Sequence, residues 1–349
     1  MAEFHSLTVS KIRPLSPNAV AVTFDIPASL KANFSFEAGQ YITIKHPIEG
    51  KELRRAYSIS SKPTEEKITV GIKKVKDGKF SLFANTELKE GDTLEVMPPM
   101  GRFIFASNRR EQRIAAFAAG SGITPIMSIA QTVLEANDTN RFVLVYGNQS
   151  PEETMFHEEI LELRDKYTDR FFVKFSFSRA QVKDSLFGRI ETSTVNYILK
   201  NVFSDTNFDS FYLCGPESMI NQVTDTLKAN GVPEEHILFE LFTTTEVEDE
   251  VTEDLEGKTS VEVTLDDETF NFDMDKKTLV LDAVLKEDID APYSCQGGVC
   301  STCIARVTEG KAEMVKNQIL TDSEIEEGFI LTCQSHPLTP VLKIDYDDV

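Results

Sequence analysis

Five cysteines stand in the 349-residue chain, and their uneven spacing carries the first chemistry. Cys295, Cys300 and Cys303 share one short stretch, and Cys333 follows thirty residues later within Leu331, Thr332, Cys333 and Gln334. The pattern C-x4-C-x2-C, a long gap, then C is the plant-type spacing in which four thiolates hold a [2Fe–2S] cluster. Two irons bridged by sulfide need thiolates converging from a tightly wrapped segment. Gly297 and Gly298 let that backbone take positive φ and aim N–H groups at the sulfurs. Three other uses compete. Four thiolates also suit tetrahedral zinc, yet structural zinc sites usually join two short knuckles, whereas one loop here supplies three ligands. Disulfides belong to oxidising compartments, of which the sequence gives no other sign. Free buried thiols have no reason to cluster.

Two further constellations precede the cysteines. Arg54 to Ser61 reads Arg-Arg-Ala-Tyr-Ser-Ile-Ser-Ser, and period-two alternation puts Arg55, Tyr57 and Ile59 on one strand face. A guanidinium there can pair a diphosphate, and a ring can lie on a flat heterocycle. The same residues equally make an ordinary strand with a surface arginine. Further on, the buried run at 113–118 meets Gly120, Ser121, Gly122, Ile123, Thr124 and Pro125, followed by an apolar helical stretch. A glycine turn between strand and helix lets a diphosphate approach backbone amides at a helix N-terminus, and Pro125 suits a first helical turn. The turn is not G-x-G-x-x-G, so taken alone it is a weak signal. Residues 172–178 read as a strand ending at Ser178 and Arg179. An acidic residue at such an end selects the 2′-hydroxyl of NAD, whereas a nearby arginine suits the 2′-phosphate of NADP. Cys214, before Gly215 and Pro216, reads as a small buried hydrophobe at a strand end.

The elements that must position these residues fall into successive blocks. Up to residue 107, short β-rich runs at 19–24, 40–44, 68–72 and 93–96 are punctuated by Asp77-Gly78, Glu90-Gly91 and Pro98-Pro99, which predicts a small antiparallel β-barrel. From 108 to 242, strands alternate with helical stretches, the pattern of a parallel α/β sheet. Residues 243–257 are acidic and poor in apolar side chains, so a linker is expected. From 258 to 349, a hairpin around Asp266-Asp267, a helix near 279–285 and strands at 303–307 and 341–344 predict a small α+β domain of β-grasp type around the cysteines. The chain is thus read as multidomain.

Resemblance sharpens this reading. Arg55-x-Tyr57-Ser58-x-x-Ser61 resembles the flavin signature of the ferredoxin–NADP reductase superfamily, and Glu37 to Tyr41 and Pro99 to Phe103 stand where that family has similar segments. Gly78 to Ser81 resembles its second phosphate-binding turn. The resemblance implies that Arg55 and Ser81 hold FAD phosphates, with Gly78 beside them. It sets Tyr57 against the isoalloxazine and Ser58 beside flavin N5, with Ala56, between Arg55 and Tyr57, in the cofactor-binding strand. Ala56 and Ser60 depart from the motif at positions that vary in the family. Gly120, Gly122, Thr124 and Pro125 resemble its pyridine-nucleotide motif, and Ser178 and Arg179, with Arg189, resemble NADPH-selective members. Cys214, Gly215 and Pro216 resemble a segment whose thiol lies by the nicotinamide, which implies a positioning role. Glu240 and Phe242 stand where the family has a carboxylate and an aromatic near the flavin. As core strand residues they need no such role. Across nearly its full length the chain also resembles reductase components of phenylacetyl-CoA epoxidase systems, on residues 4–9, 52–55, 120–125, the cysteine loop and 331–334. In that family electrons go to a di-iron oxygenase subunit.

Order and charge complete the expectation. A hydride donor gives two electrons together and a [2Fe–2S] cluster accepts one, so a flavin belongs between them. An NADPH-dependent reductase feeding an oxygenase is the leading function. The alternatives are a reductase for a ring-hydroxylating or other hydroxylase system, for which NADH or FMN is an option, and a redox-sensing subunit of low turnover. The net charge is −21, and residues 243–349 hold 26 acidic against 8 basic side chains. That sign disfavours nucleic acid. It suits either simple solubility or docking on a basic partner patch. No signal segment or membrane-length apolar run is found, so a reducing, cytoplasmic setting is expected.

Overall fold

A computed structural model describes residues 3–106, 111–242 and 255–349. Two compact units emerge, one from the described residues of 5–242 and the other from residues 255–349 with residues 3 and 4. In the first unit six strands, β1 (His5–Ser16), β2 (Ala19–Asp25), β3 (Tyr41–Ile48), β4 (Lys51–Ser58), β5 (Lys67–Lys73) and β6 (Thr93–Met100), form an antiparallel sheet in the order β4-β3-β6-β1-β2-β5. Ile59 bridges to Val70, which brings the two edge strands together and closes the barrel. Alternation fills its interior with Val22, Phe24, Ile42, Ile44, Ile68 and Val96, all buried. Ile59 does not share the Arg55 and Tyr57 face as expected. It lies past the end of β4 and is fully buried in this core, because the closing bridge turns the chain inward there. A helix, α1 (Lys79–Thr86), covers one barrel end, where a simple turn had been expected.

The parallel sheet runs β10 (Leu186–Phe187), β9 (Phe171–Phe177), β8 (Arg141–Asn148), β7 (Arg113–Ala119), β11 (Ser210–Cys214), β12 (Ile237–Glu240). Its helices are α2 (Ile123–Ala136), α3 (His157–Lys166), α4 (Thr192–Tyr197) and α5 (Glu217–Ala229). Strand order reverses at β7, so the carboxyl ends of β7 and β11 flank the crevice where ligands of such sheets bind. α2 is buried along most of its length, with Ile123, Ile126, Ile129 and Val133 all fully enclosed. Each such side chain contributes about 1.5–3 kcal/mol. Barrel and sheet belong to one unit because α2 packs on both. Ser128 donates to the Ser61 carbonyl at 2.6 Å and Gln131 to that of Ser60 at 3.2 Å, while Lys62 pairs with Glu135 at 2.6 Å.

In the second unit, β13 (Lys258–Leu265) and β14 (Glu268–Asp275) form the expected hairpin, and β15 (Ile304–Glu309), β17 (Phe329–Leu331) and β19 (Val341–Asp345) complete a sheet in the order β14-β13-β19-β15-β17. β16 (Ala312–Met314) pairs with β18 (Ser335–Pro337). α6 (Val280–Lys286) buries Val280, Leu281 and Val284 in the core, and α7 (Asp322–Glu326) starts at a Thr321–Glu324 capping box. Of the expected linker, residues 243–254 lie outside the described residues. Leu255 is buried and Gly257 accepts a hydrogen bond from Lys276, so the unit's structure already begins there.

Candidate electron-transfer site

The first group forms where the barrel meets the parallel sheet. β4 delivers Arg55 exposed, Ala56 and Tyr57 half-buried, and Ser58 buried at its end. Arg55 Nη1 donates to the neighbouring Arg54 carbonyl at 2.7 Å, and the guanidinium stands at the surface of the strand. Tyr57 lies against Phe80, ring centroids 5.6 Å apart. Burial pushes its phenol up, against the pull of the Arg55 guanidinium. Ser58 donates to Glu240 Oε2 at 2.9 Å, joining β4 to β12 across 182 residues of sequence. Glu240 is the register partner of Cys214 on β11. Burial, with the Glu240 charge behind it, raises the Cys214 thiol well above its ordinary range, so the sulfur is a neutral thiol. Ser58, Glu240 and Cys214 therefore form one constellation. Phe242, two residues on, packs half-buried against the parallel-sheet core.

The glycine turn closes on the same place. Gly120 to Gly122 make a 3-10 turn into α2, and Gly120 takes φ +55°. A Cβ on Gly122 would lie 2.0 Å from the Cys214 carbonyl oxygen, so only glycine lets this turn approach Cys214 and Gly215. Thr124 is buried and donates to the Ser121 carbonyl at 3.0 Å, and Pro125 is buried in the first turn of α2. Pro216 caps α5, its carbonyl accepting from Met219 and Ile220. Ser178 and Arg179 stand two strands away from β7, at the end of β9, where their amides donate to the Asn148 and Gln149 carbonyls. Arg179 and Arg189 are exposed.

On the barrel side, Gly78 caps α1, and Ser81 sits inside that helix rather than in a turn. Its hydroxyl is buried, donates to the Gly78 carbonyl at 3.0 Å and accepts from the Val75 amide at 3.2 Å. Two residues escaped the sequence reading. Lys73, the last residue of β5, brings Nζ to 3.7 Å from where a Cβ on Gly120 would sit, so a barrel cation hangs over the glycine turn. Tyr146 on β8 donates to the Gly120 carbonyl at 2.8 Å. Neither belongs to a local motif; the only signals were a basic strand end and a lone hydroxyl in an apolar strand.

In the second unit the four remaining cysteines come together without disulfides, Cys300, Cys303 and Cys333 buried and Cys295 partly so. They interact as a chain. The Cys300 thiol pulls Cys295 down, but Cys333 and burial together push it further up. Cys295 and burial raise Cys300 well above its ordinary range. For Cys333, Cys295 pulls down, while Cys303 and burial raise it overall. Among the described residues no three His, Cys, Asp or Glu side chains surround a single-ion position. Four crowded, largely buried thiols fit a cationic centre large enough to touch all four, because bound iron would offset the charge of each thiolate. The loop geometry differs from expectation in one respect. Gly298 takes φ +70°, but the other left-handed residue is Gln296 at φ +52° rather than Gly297. The Gly297 amide donates to Cys295 Sγ at 3.4 Å. Across the site, Thr332 Oγ1 donates to the Cys303 carbonyl and Tyr346 donates to Thr332 Oγ1, both at 3.0 Å.

Comparison with known proteins then places the chain. Residues 6–105 match the oxidoreductase FAD-binding domain, residues 117–225 the oxidoreductase NAD-binding domain and residues 263–338 the 2Fe-2S iron-sulfur cluster binding domain. The chain is 36% identical over 352 residues to one of the subunits of 1,2-phenylacetyl-CoA epoxidase from Escherichia coli (strain K12), covering 99% of each. The chain belongs to the oxygenase reductase components. It is also 31% identical to the ferredoxin reductase component of 3-ketosteroid-9-alpha-monooxygenase from Rhodococcus rhodochrous, over 97% of this chain and 96% of that protein. In fold this reductase is similar to phthalate dioxygenase reductase, with a TM-score of 0.63 and 22% identity over 98% of each chain. It is an NAD(P)H-dependent oxidoreductase that uses FAD and a [2Fe–2S] cluster.

Proposed function

We propose that the chain accepts hydride from NADPH at FAD and delivers single electrons through its [2Fe–2S] cluster to an oxygenase, in the manner of the phenylacetyl-CoA epoxidase system. In this reading residues 1–107 bind FAD, 108–242 bind the nicotinamide nucleotide, 243–257 link, and 258–349 carry the cluster. The carrying observation is the Ser58–Glu240 hydrogen bond at 2.9 Å, beside a neutral Cys214 and against the glycine turn. It brings the flavin strand and the end of the nucleotide sheet to one point. FAD, when bound, supplies the exchange between two-electron hydride chemistry and one-electron transfer.

The residues divide the work. Arg55 pairs the FAD diphosphate, the amides at the start of α1, with Gly78 and Ser81, complete that cradle, and Tyr57 and Phe242 border the ring system. Ser58 faces the reacting flavin edge and Glu240 fixes its hydroxyl. Cys214, uncharged, orients the nicotinamide without acting as a nucleophile. Gly120, Gly122, Thr124, Pro125, Gly215 and Pro216 form the nucleotide floor, with Lys73 supplying positive charge to its pyrophosphate. Ser178, Arg179 and Arg189 favour a 2′-phosphate, since no acidic side chain stands at the end of β9. Cys295, Cys300, Cys303 and Cys333 ligate the cluster. A reducing cytoplasmic setting suits thiols used in this way. No helix among the described residues is long and apolar enough to cross a membrane.

An anaerobic NADPH titration followed by visible absorbance and low-temperature EPR tests the route. Bleaching of the flavin together with a reduced [2Fe–2S] signal is expected. Cys300→Ser should abolish delivery to the oxygenase and leave NADPH-driven reduction of a small flavin-level acceptor. Flavin bleaching with no cluster signal, in protein shown to contain iron, would defeat the proposal.

A further inference from the structure

Tyr146 is out of place by composition. It lies in β8 among Phe142, Val143, Leu144 and Val145, all buried, and is itself fully enclosed. Its ring packs near Phe175, centroids 6.3 Å apart, a contact that phenylalanine would make equally well. The hydroxyl adds nothing to that packing, and a buried hydroxyl without a partner is destabilising. The Asn148 side chain and the Met155 backbone also reach this hydroxyl, and its single proton has a definite acceptor. The hydroxyl donates to the carbonyl of Gly120, at 2.8 Å, in the turn that opens α2.

The Gly120 carbonyl also accepts the Ile123 amide, so both of its lone pairs are engaged. In a trans peptide the carbonyl and the following N–H point in opposite directions. Tying the Gly120 oxygen to the phenol therefore turns the Ser121 N–H away from the sheet interior. A flip of that peptide, to which a glycine at φ +55° is prone, would aim a carbonyl where the amide now points. A carbonyl repels phosphate, whereas successive amides bind it. Lys73 Nζ lies on the same turn, 3.7 Å from the notional Gly120 Cβ.

We propose that Tyr146 is a positioning residue for the pyrophosphate of the nicotinamide nucleotide, holding the Gly120–Ser121 peptide in its anion-binding orientation. The inference rests on reading Gly120 to Pro125 as the nucleotide turn. Burial also raises the phenol, so the hydroxyl remains a donor at every working pH.

The pyrophosphate is common to NADPH and NADH, and this gives the test its discriminating readout. In the holoenzyme, with a small flavin-level acceptor, Tyr146→Phe should raise KM for both nucleotides by one shared factor of roughly 5- to 10-fold, the scale of one lost hydrogen bond. The value of kcat at saturation should stay within about 2-fold, since the turn touches no reacting atom. Unchanged KM overturns the inference. So does a loss confined to one nucleotide, or a fall in kcat without a rise in KM, the pattern of a general structural defect. Lys73→Ala separates the two layers. If both variants leave KM unaltered, the nucleotide-turn reading itself fails; if Lys73→Ala raises KM while Tyr146→Phe does not, only the role of Tyr146 fails.

Discussion

A buried thiol beside a carboxylate invites a nucleophile reading, and the electrostatics oppose it. Burial and Glu240 raise Cys214, whereas reactive cysteines sit in electropositive surroundings that lower the pKa. Its folded pKa exceeds its unfolded value, so the stability it contributes is complete below about pH 8.5 and is lost as pH rises through the folded value. Denaturant unfolding of wild type and Cys214→Ser should thus differ by a constant amount from pH 6 to 8. Above about pH 9 the wild type should lose ground by up to about 1.4 kcal/mol per pH unit. A difference that stays flat to pH 10 would mean the thiol is not held neutral. The Ser58 hydroxyl, by contrast, is held by Glu240 rather than by packing alone. Ser58→Ala should slow flavin reduction by NADPH roughly 10- to 100-fold, as expected for lost alignment of reacting groups, with FAD content unaltered. Stopped-flow bleaching reads this directly, and an unchanged rate would remove Ser58 from the chemistry.

Among the elements, the β13–β14 hairpin shows how far local sequence reaches. Asp266 and Asp267 both take positive φ, 54° and 61°, the demand of a type I′ turn, and Asp347 accepts both of their amides. Glycine tolerates that region without the penalty a Cβ imposes. Asp267→Gly should stabilise the second unit by about 0.5–1 kcal/mol, seen as a higher unfolding midpoint; a lower one would show that the aspartate side chain matters more than the backbone. The hairpin was legible because a turn dipeptide stood between alternating runs. The parallel sheet was legible for a similar reason, since short apolar strands alternate with helical stretches. What stayed hidden depends on contacts distant in sequence. α1 was read as a turn because its glycine cap looks like loop chemistry. The exact left-handed residue of the cysteine loop, Gln296 rather than Gly297, is set by the wrap of the loop and not by residue preference. Lys73 and Tyr146 gain meaning only because β5 and β8 carry them to Gly120, and nothing near either residue in sequence says so.

At the scale of the whole molecule, charge is distributed by module. Residues 1–107 carry 15 basic against 12 acidic side chains, whereas residues 243–349 carry 8 against 26. Solubility alone does not require the imbalance to sit with the cysteines. A field of one sign around an electron-delivering domain speeds encounter with a partner of opposite sign, and salt screens it over about 8–10 Å at physiological ionic strength. Nicotinamide nucleotides are anionic and reach the other unit, so their use should respond to salt differently. Electron transfer to a basic protein acceptor such as cytochrome c should therefore fall steeply as salt rises from about 0.05 to 0.5 M, by 10-fold or more in the second-order rate. NADPH-driven reduction of a small uncharged acceptor, measured in the same solutions, should change far less. Replacing several acidic residues of the second unit with neutral amides, away from the cysteine loop, should flatten the salt dependence and slow the low-salt rate. If both acceptors respond alike, or the neutralised variant keeps the wild-type salt profile, the acidic field serves solubility and docking must rest on shape and apolar contact instead.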